Sequence, residues 1–157
     1  MFVIVPWVAY NVNLVYDFVN LVDQLWNKEA SMIDVVRGAD TRRTETPNAT
    51  MTTLASPTLG AGGGLSLWQV EMSAGKSGPR HAFDSEQLWS VQAGRVVVDV
   101  GTESCQLERG DTVSLPAGVE RQIHAATDTR ILVCGHGRAI ATVPGEPTPR
   151  GTPAWIA

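Results

Sequence analysis

From Leu65 onward the chain divides into short β-rich runs separated by Gly, Asp and Pro turns, a rhythm that restricts it to an all-β sandwich or barrel. The segment 65–72, LSLWQVEM, alternates apolar and polar residues as a half-buried strand does. Comparable runs occupy 86–92, 95–100, 104–108, 112–115, 120–125, 130–134 and 139–143. The run AGGG at 61–64 precedes a strand, whereas a phosphate-binding loop would open a helix, so it reads as a turn. Upstream, 40–47 is charged and Thr-rich and reads as an extended linker. The tail, PGEPTPRGTPAWIA at 144–157, holds too many prolines for a helix or a central strand, and is expected to cross the surface with Trp155 anchored in a groove.

Within this series, 75–94 runs Gly75, five residues, His81, one residue, Phe83, three residues, Gln87, six residues, Gly94. A second stretch sets Gly110, Pro116 and Gly118 ahead of Arg121 and Ala125. Together they resemble the paired motifs of the cupin superfamily. The first such motif is glycine, five residues, His-x-His, three or four residues, Glu, six residues, glycine. The second is glycine, five residues, Pro-x-Gly, two residues, His, three residues, Asn. The glycine and proline framework is retained here, but only His81 keeps a ligand type. Phe83 stands at the second His position, Gln87 at the Glu, Arg121 at the His of the second motif and Ala125 at the Asn. Assigning the Glu role to Glu86 breaks the spacing and, by alternation, turns the carboxylate to the face opposite His81. The resemblance spans about 65–143 and implies a small single-domain bacterial cupin, a jelly-roll barrel with a degenerate metal site; it does not specify a substrate.

With His81 pointing into such a barrel, the period of two turns Phe83, Gln87, Trp89 and Val91 inward, and Arg121 and Ile123 face the same interior. Apolar walls with a few orienting polar groups suit a small organic molecule. His81, Arg121 and Gln87 are the candidate catalytic residues, with Trp68, Phe83, Trp89, Ile123 and His136 as candidate substrate contacts. His81 is either a hydrogen-bonded interior remnant or a general acid/base; Arg121 is either a surface partner of Glu120 or Asp111, or a clamp for an oxyanion. A guanidinium in a former ligand position repels a divalent ion, so no cofactor is expected. The alternative is a dioxygenase-like site for Fe, Mn, Ni or Zn, with His81, His124 and His136 as relocated ligands, although alternation turns His124 outward.

The leading reading is therefore a metal-independent isomerase, cyclase or dehydratase of secondary metabolism, the last a class implied by resemblance alone; the alternatives are a metal-dependent dioxygenase and a non-catalytic binding cupin. A net charge of −4 argues against nucleic acid or an anionic membrane as partner. Cys105 and Cys134 lack metal-type spacing and read as free, buried thiols of a cytoplasmic protein. Residues 1–31 differ from the rest. Val15, Phe18, Val22 and Leu25 form an apolar stripe opposite Asp17, Asn20, Asp23 and Gln24, predicting an amphipathic helix over 13–28 rather than a signal peptide or membrane span. Met32 and the residues after it look like the start of short bacterial cupins, which sets the domains at 1–31 and 32–157. Small jelly-roll cupins pair through edge strands, so a homodimer is expected.

Overall fold

The computed structural model describes residues 33–60 and 62–157, so the helix expected over 13–28 lies outside the described residues. Asp34–Ala157 forms one compact unit. Its strands are β1 (Arg42–Glu45), β2 (Thr50–Ala55), β3 (Leu65–Met72), β4 (Ala82–Phe83), β5 (Gln87–Ala93), β6 (Arg95–Val100), β7 (Glu103–Glu108), β8 (Thr112–Leu115), β9 (Arg121–Ala125), β10 (Thr129–His136) and β11 (Ala141–Thr142). A large sheet has the order β1-β2-β3-β10-β5-β8, a second the order β7-β6-β9, and β4 pairs with β11. The architecture is the all-β jelly roll that the turn rhythm and the motif framework predict. Among the described residues, no helix is long and apolar enough to cross a membrane.

Alternation places the core. Trp68, Val70 and Met72 of β3, Trp89 and Val91 of β5, Ile131 and Val133 of β10, and Ile123 and Ala125 of β9 are buried against Val96 and Val98 of β6. Two glycines answer steric demands in this packing. Gly94 turns β5 into β6 at a φ of +79°, where a Cβ would also come within 2.1 Å of the Asp128 carbonyl oxygen. In β10, a Cβ on Gly135 would lie 3.1 Å from Gln87 Cγ and 3.3 Å from Trp68 Cη2, so its absence lets both side chains lie against the strand.

The stretch 40–47 is not a linker. Its residues Arg42–Glu45 pair antiparallel with β2, which in turn pairs with β3 and extends the large sheet. Strand β1 is a polar, half-exposed edge strand with little hydrophobic signal, which explains why composition conceals it. Thr46 closes it: its N–H donates to the Ala49 carbonyl at 2.9 Å, and its hydroxyl oxygen accepts from the Ala49 N–H at 3.0 Å.

The tail is fastened more firmly than a surface crossing requires. Gly151 bridges Ala141, Trp155 packs half-buried against the core as expected, and Ile156 beside it is fully buried. The Thr53 hydroxyl donates to the Trp155 carbonyl at 2.8 Å, Ser66 to that of Ile156, and Ser56 (2.9 Å) and Arg42 to that of Ala157. Both cysteines are free thiols, but Cys105 is exposed and Cys134 only half-buried, because both side chains lie on outward positions of their strands.

Candidate functional site

A cavity of about 490 Å³ opens inside the barrel, within the range that holds small organic ligands. Trp68, Phe83, Trp89 and Ile123 form much of its wall, with His81 and Gln87 as polar groups. The sequence missed part of this wall: the β1–β2 turn contributes Thr46–Ala49, and the tail contributes Arg150, Gly151, Pro153 and Trp155. Neither segment carries a motif: pairing of β2 with β3 brings the turn to the cavity, and long-range contacts bring the tail.

His81 is held by backbone and side chain together. Its N–H donates to the Arg121 carbonyl at 3.0 Å, and the Arg121 N–H donates back to the His81 carbonyl at 2.8 Å, binding residue 81 to β9. Its Nδ1 lies 2.8 Å from the Pro79 carbonyl oxygen. A carbonyl only accepts, so Nδ1 carries the hydrogen and the neutral ring keeps its lone pair on Nε2. Burial lowers the imidazole pKa below its ordinary value; the Pro79 bond opposes this and the charge of Arg121 adds to it. The ring meets Phe83 edge-on, with centroids 5.2 Å apart.

Arg121 is fully buried, but it is not among the residues lining the cavity. It neither turns to solvent nor pairs with Glu120 or Asp111; Glu120 lies instead against Arg80, 3.8 Å away. Its Nη2 donates to the Pro116 carbonyl at 2.8 Å and its Nη1 to Gln87 Oε1 at 3.4 Å, with Val119 O a further acceptor. Burial pulls the guanidinium down to about 10, which leaves it a cation at neutral pH. Its charge is thus spent on protein acceptors, one of which, Gln87, lines the cavity.

The cupin-domain family model matches residues 68–134. An uncharacterized protein from Streptomyces coelicolor is 31% identical over 70 residues, which cover 44% of this chain and 67% of that protein. The chain belongs to the cupin family. Among solved structures, an RmlC-like cupin from Shewanella frigidimarina is similar at a TM-score of 0.57 and 18% identity, covering 66% of this cupin and 90% of that chain. KdgF from Halomonas sp. is similar at 0.57 and 17% identity, covering 66% and 94%. Structures described as a sugar phosphate isomerase, an oxalate decarboxylase and a salicylate 1,2-dioxygenase are also similar, at 16–20% identity and TM-scores of 0.52–0.58. Such likeness establishes the fold, and its hosts perform unlike chemistry.

The residues at this cupin's metal-ligand positions do not fit a divalent ion. Phe83 offers no donor atom, the Gln87 oxygen already accepts two hydrogen bonds, and the Arg121 cation stands beside them. The relocated set of His81, His124 and His136 is not brought together. His124 faces outward from β9, its Nδ1 2.8 Å from Ser77 Oγ and its Nε2 3.0 Å from Asp99 Oδ2. His136, at the end of β10, lies in a separate groove with Pro57, Gly64 and Arg138, and does not line the barrel cavity as a substrate contact would. Among the described residues, no cluster of three or more His, Cys, Asp or Glu side chains suits a metal.

Proposed function

We propose that this cupin is a metal-independent enzyme that moves a proton on a small, mainly apolar organic molecule held in the barrel, in an isomerisation, cyclisation or dehydration. The observation that carries this reading is the 2.8 Å contact of His81 Nδ1 with Pro79 O, which assigns the ring hydrogen to Nδ1 while the ring lines the cavity. That leaves Nε2 as an acceptor in an apolar setting. There it takes a proton from carbon next to a carbonyl, the C–H electron pair moving toward the carbonyl oxygen as an enolate. The imidazolium so formed returns its proton to carbon in an isomerisation, or to a departing hydroxyl, released as water, in a dehydration. A lowered pKa keeps the imidazole neutral and ready as a base near pH 7.

The test is proton exchange at the carbon next to the carbonyl of 2-indanone in D2O, followed by NMR. The protein should accelerate exchange over buffer, and His81→Ala should abolish the acceleration. Equal rates for the two proteins would reduce the barrel to a binding module without proton chemistry.

A further inference from the structure

Three buried side-chain atoms lack a hydrogen-bond partner among the described residues: Arg42 Nε, Ser85 Oγ and Gln87 Nε2. Only Gln87 lines the barrel cavity, and it is just 1% exposed. Its amide orientation follows from its neighbours. Trp89 Nε1 donates to Gln87 Oε1 at 3.1 Å and Arg121 Nη1 donates to the same oxygen at 3.4 Å. Indole and guanidinium can only donate, so the atom they share is the oxygen and the NH2 group is left over.

The environment makes that NH2 group a stronger donor. Arg121 is cationic, and a cation bonded to the amide oxygen draws electron density from the nitrogen, polarising its N–H bonds. The missing Cβ at Gly135 gives the Gln87 side chain its place on β10, 3.1 Å from where that Cβ would lie. A buried donor fixed from behind and lacking a protein acceptor selects for a ligand atom that accepts.

We infer that Gln87 Nε2 is the ligand-selecting donor of this cavity, that Trp89 and Arg121 are its positioning residues, and that the ligand is a largely apolar, enolisable carbonyl compound whose oxygen accepts from it. The enolisable character rests on the proton-transfer reading of His81; the demand for an accepting oxygen does not. Trp68, Trp89, Phe83 and Ile123 supply the apolar walls for the body of the molecule.

The probes are 2-indanone and indane, which share a carbon skeleton and differ in the carbonyl oxygen. Quenching of tryptophan fluorescence on the intact protein measures both affinities. The ketone should bind about tenfold tighter than the hydrocarbon, the discrimination expected of one good hydrogen bond. Gln87→Leu should bring the two affinities within about twofold, and Arg121→Met should reduce the preference. His81→Ala should keep the preference, and an unaltered protein that discriminates between the two probes without accelerating proton exchange would defeat the His81 reading and leave this one standing. Infrared spectra of carbonyl-labelled 2-indanone bound to the unaltered protein give a check that needs no variant: the stretch should fall below its value in hexane. Equal binding of ketone and hydrocarbon, a preference that survives Gln87→Leu, or an unshifted stretch would overturn the inference.

Discussion

The guanidinium carbon of Arg121 stands 5.6 Å from the centroid of the Phe83 ring. These two residues occupy positions at which the family motif has metal-binding histidines, and here they satisfy each other through a cation–π contact. Arg121 also ties the β8–β9 turn, through the Pro116 carbonyl, to β5, through Gln87. Lysine cannot span these acceptors with one planar fork. Arg121→Lys should therefore lower unfolding stability by about 1–3 kcal/mol, measured by urea denaturation at pH 7, without altering the strand content seen by circular dichroism.

Acid should weaken the fold through His81. Its folded pKa lies below the unfolded one because burial disfavours the imidazolium. The unfolded chain then binds more protons, so stability falls as pH drops from the ordinary histidine value of about 6.5 toward the depressed folded value. Urea midpoints should decline across that window. His81→Phe, which has no proton to bind, should flatten the decline; an unchanged slope would assign it to another group.

Turnover should follow the same ionisation. With the true substrate, His81→Ala should cut kcat by about two to four orders of magnitude, the range of a positioned acid/base group. In the parent protein, the acidic limb of kcat/KM should reach its midpoint below pH 6.5, since the group is active as the neutral base and its pKa is lowered. A midpoint above the ordinary histidine value would place the base elsewhere.

Metal loading offers a separate check. After expression with added iron, manganese, nickel or zinc and mild dialysis, the protein should retain well below one equivalent, because Phe83, Gln87 and Arg121 replace three ligands. Elemental analysis reads this directly, and stoichiometric metal lost on His81→Ala would reverse it.

Assembly is expected to be a homodimer. Strands β1 and β8 end the large sheet, and β7 and β9 end the smaller one; open edges of this kind favour pairing with a second copy. Sedimentation velocity at micromolar concentration should show a dimer, and a monomer alone would count against pairing through these edges.

Much of the barrel could be read from local rules. Strand alternation is a property of the backbone, so the inward turn of Trp68, Phe83, Gln87, Trp89, Arg121 and Ile123, and the outward turn of His124, follow from period two alone. The motif glycines Gly75, Gly94, Gly110 and Gly118 all adopt positive φ, a demand that the residue type itself announces. Strand β1 was not legible, because its half-exposed Arg, Thr and Glu positions declare no buried face until β2, itself paired with β3, pairs with them.

Sequence by itself determined the cupin scaffold, the inward register of its strands and the loss of the usual ligand types, since each depends on spacing along one segment. Tertiary structure decided what those inward residues do. Arg121 donates to Pro116, Val119 and Gln87 because the β8–β9 turn and β5 converge on it; His136, at the end of β10, lines a separate groove; and Trp155, 102 residues from Thr53, reaches the cavity wall through a hydrogen bond between them. Spacing sets the face a side chain occupies, but its hydrogen-bond partners come from segments distant in the chain, and those partners determine which polar atoms remain for a ligand.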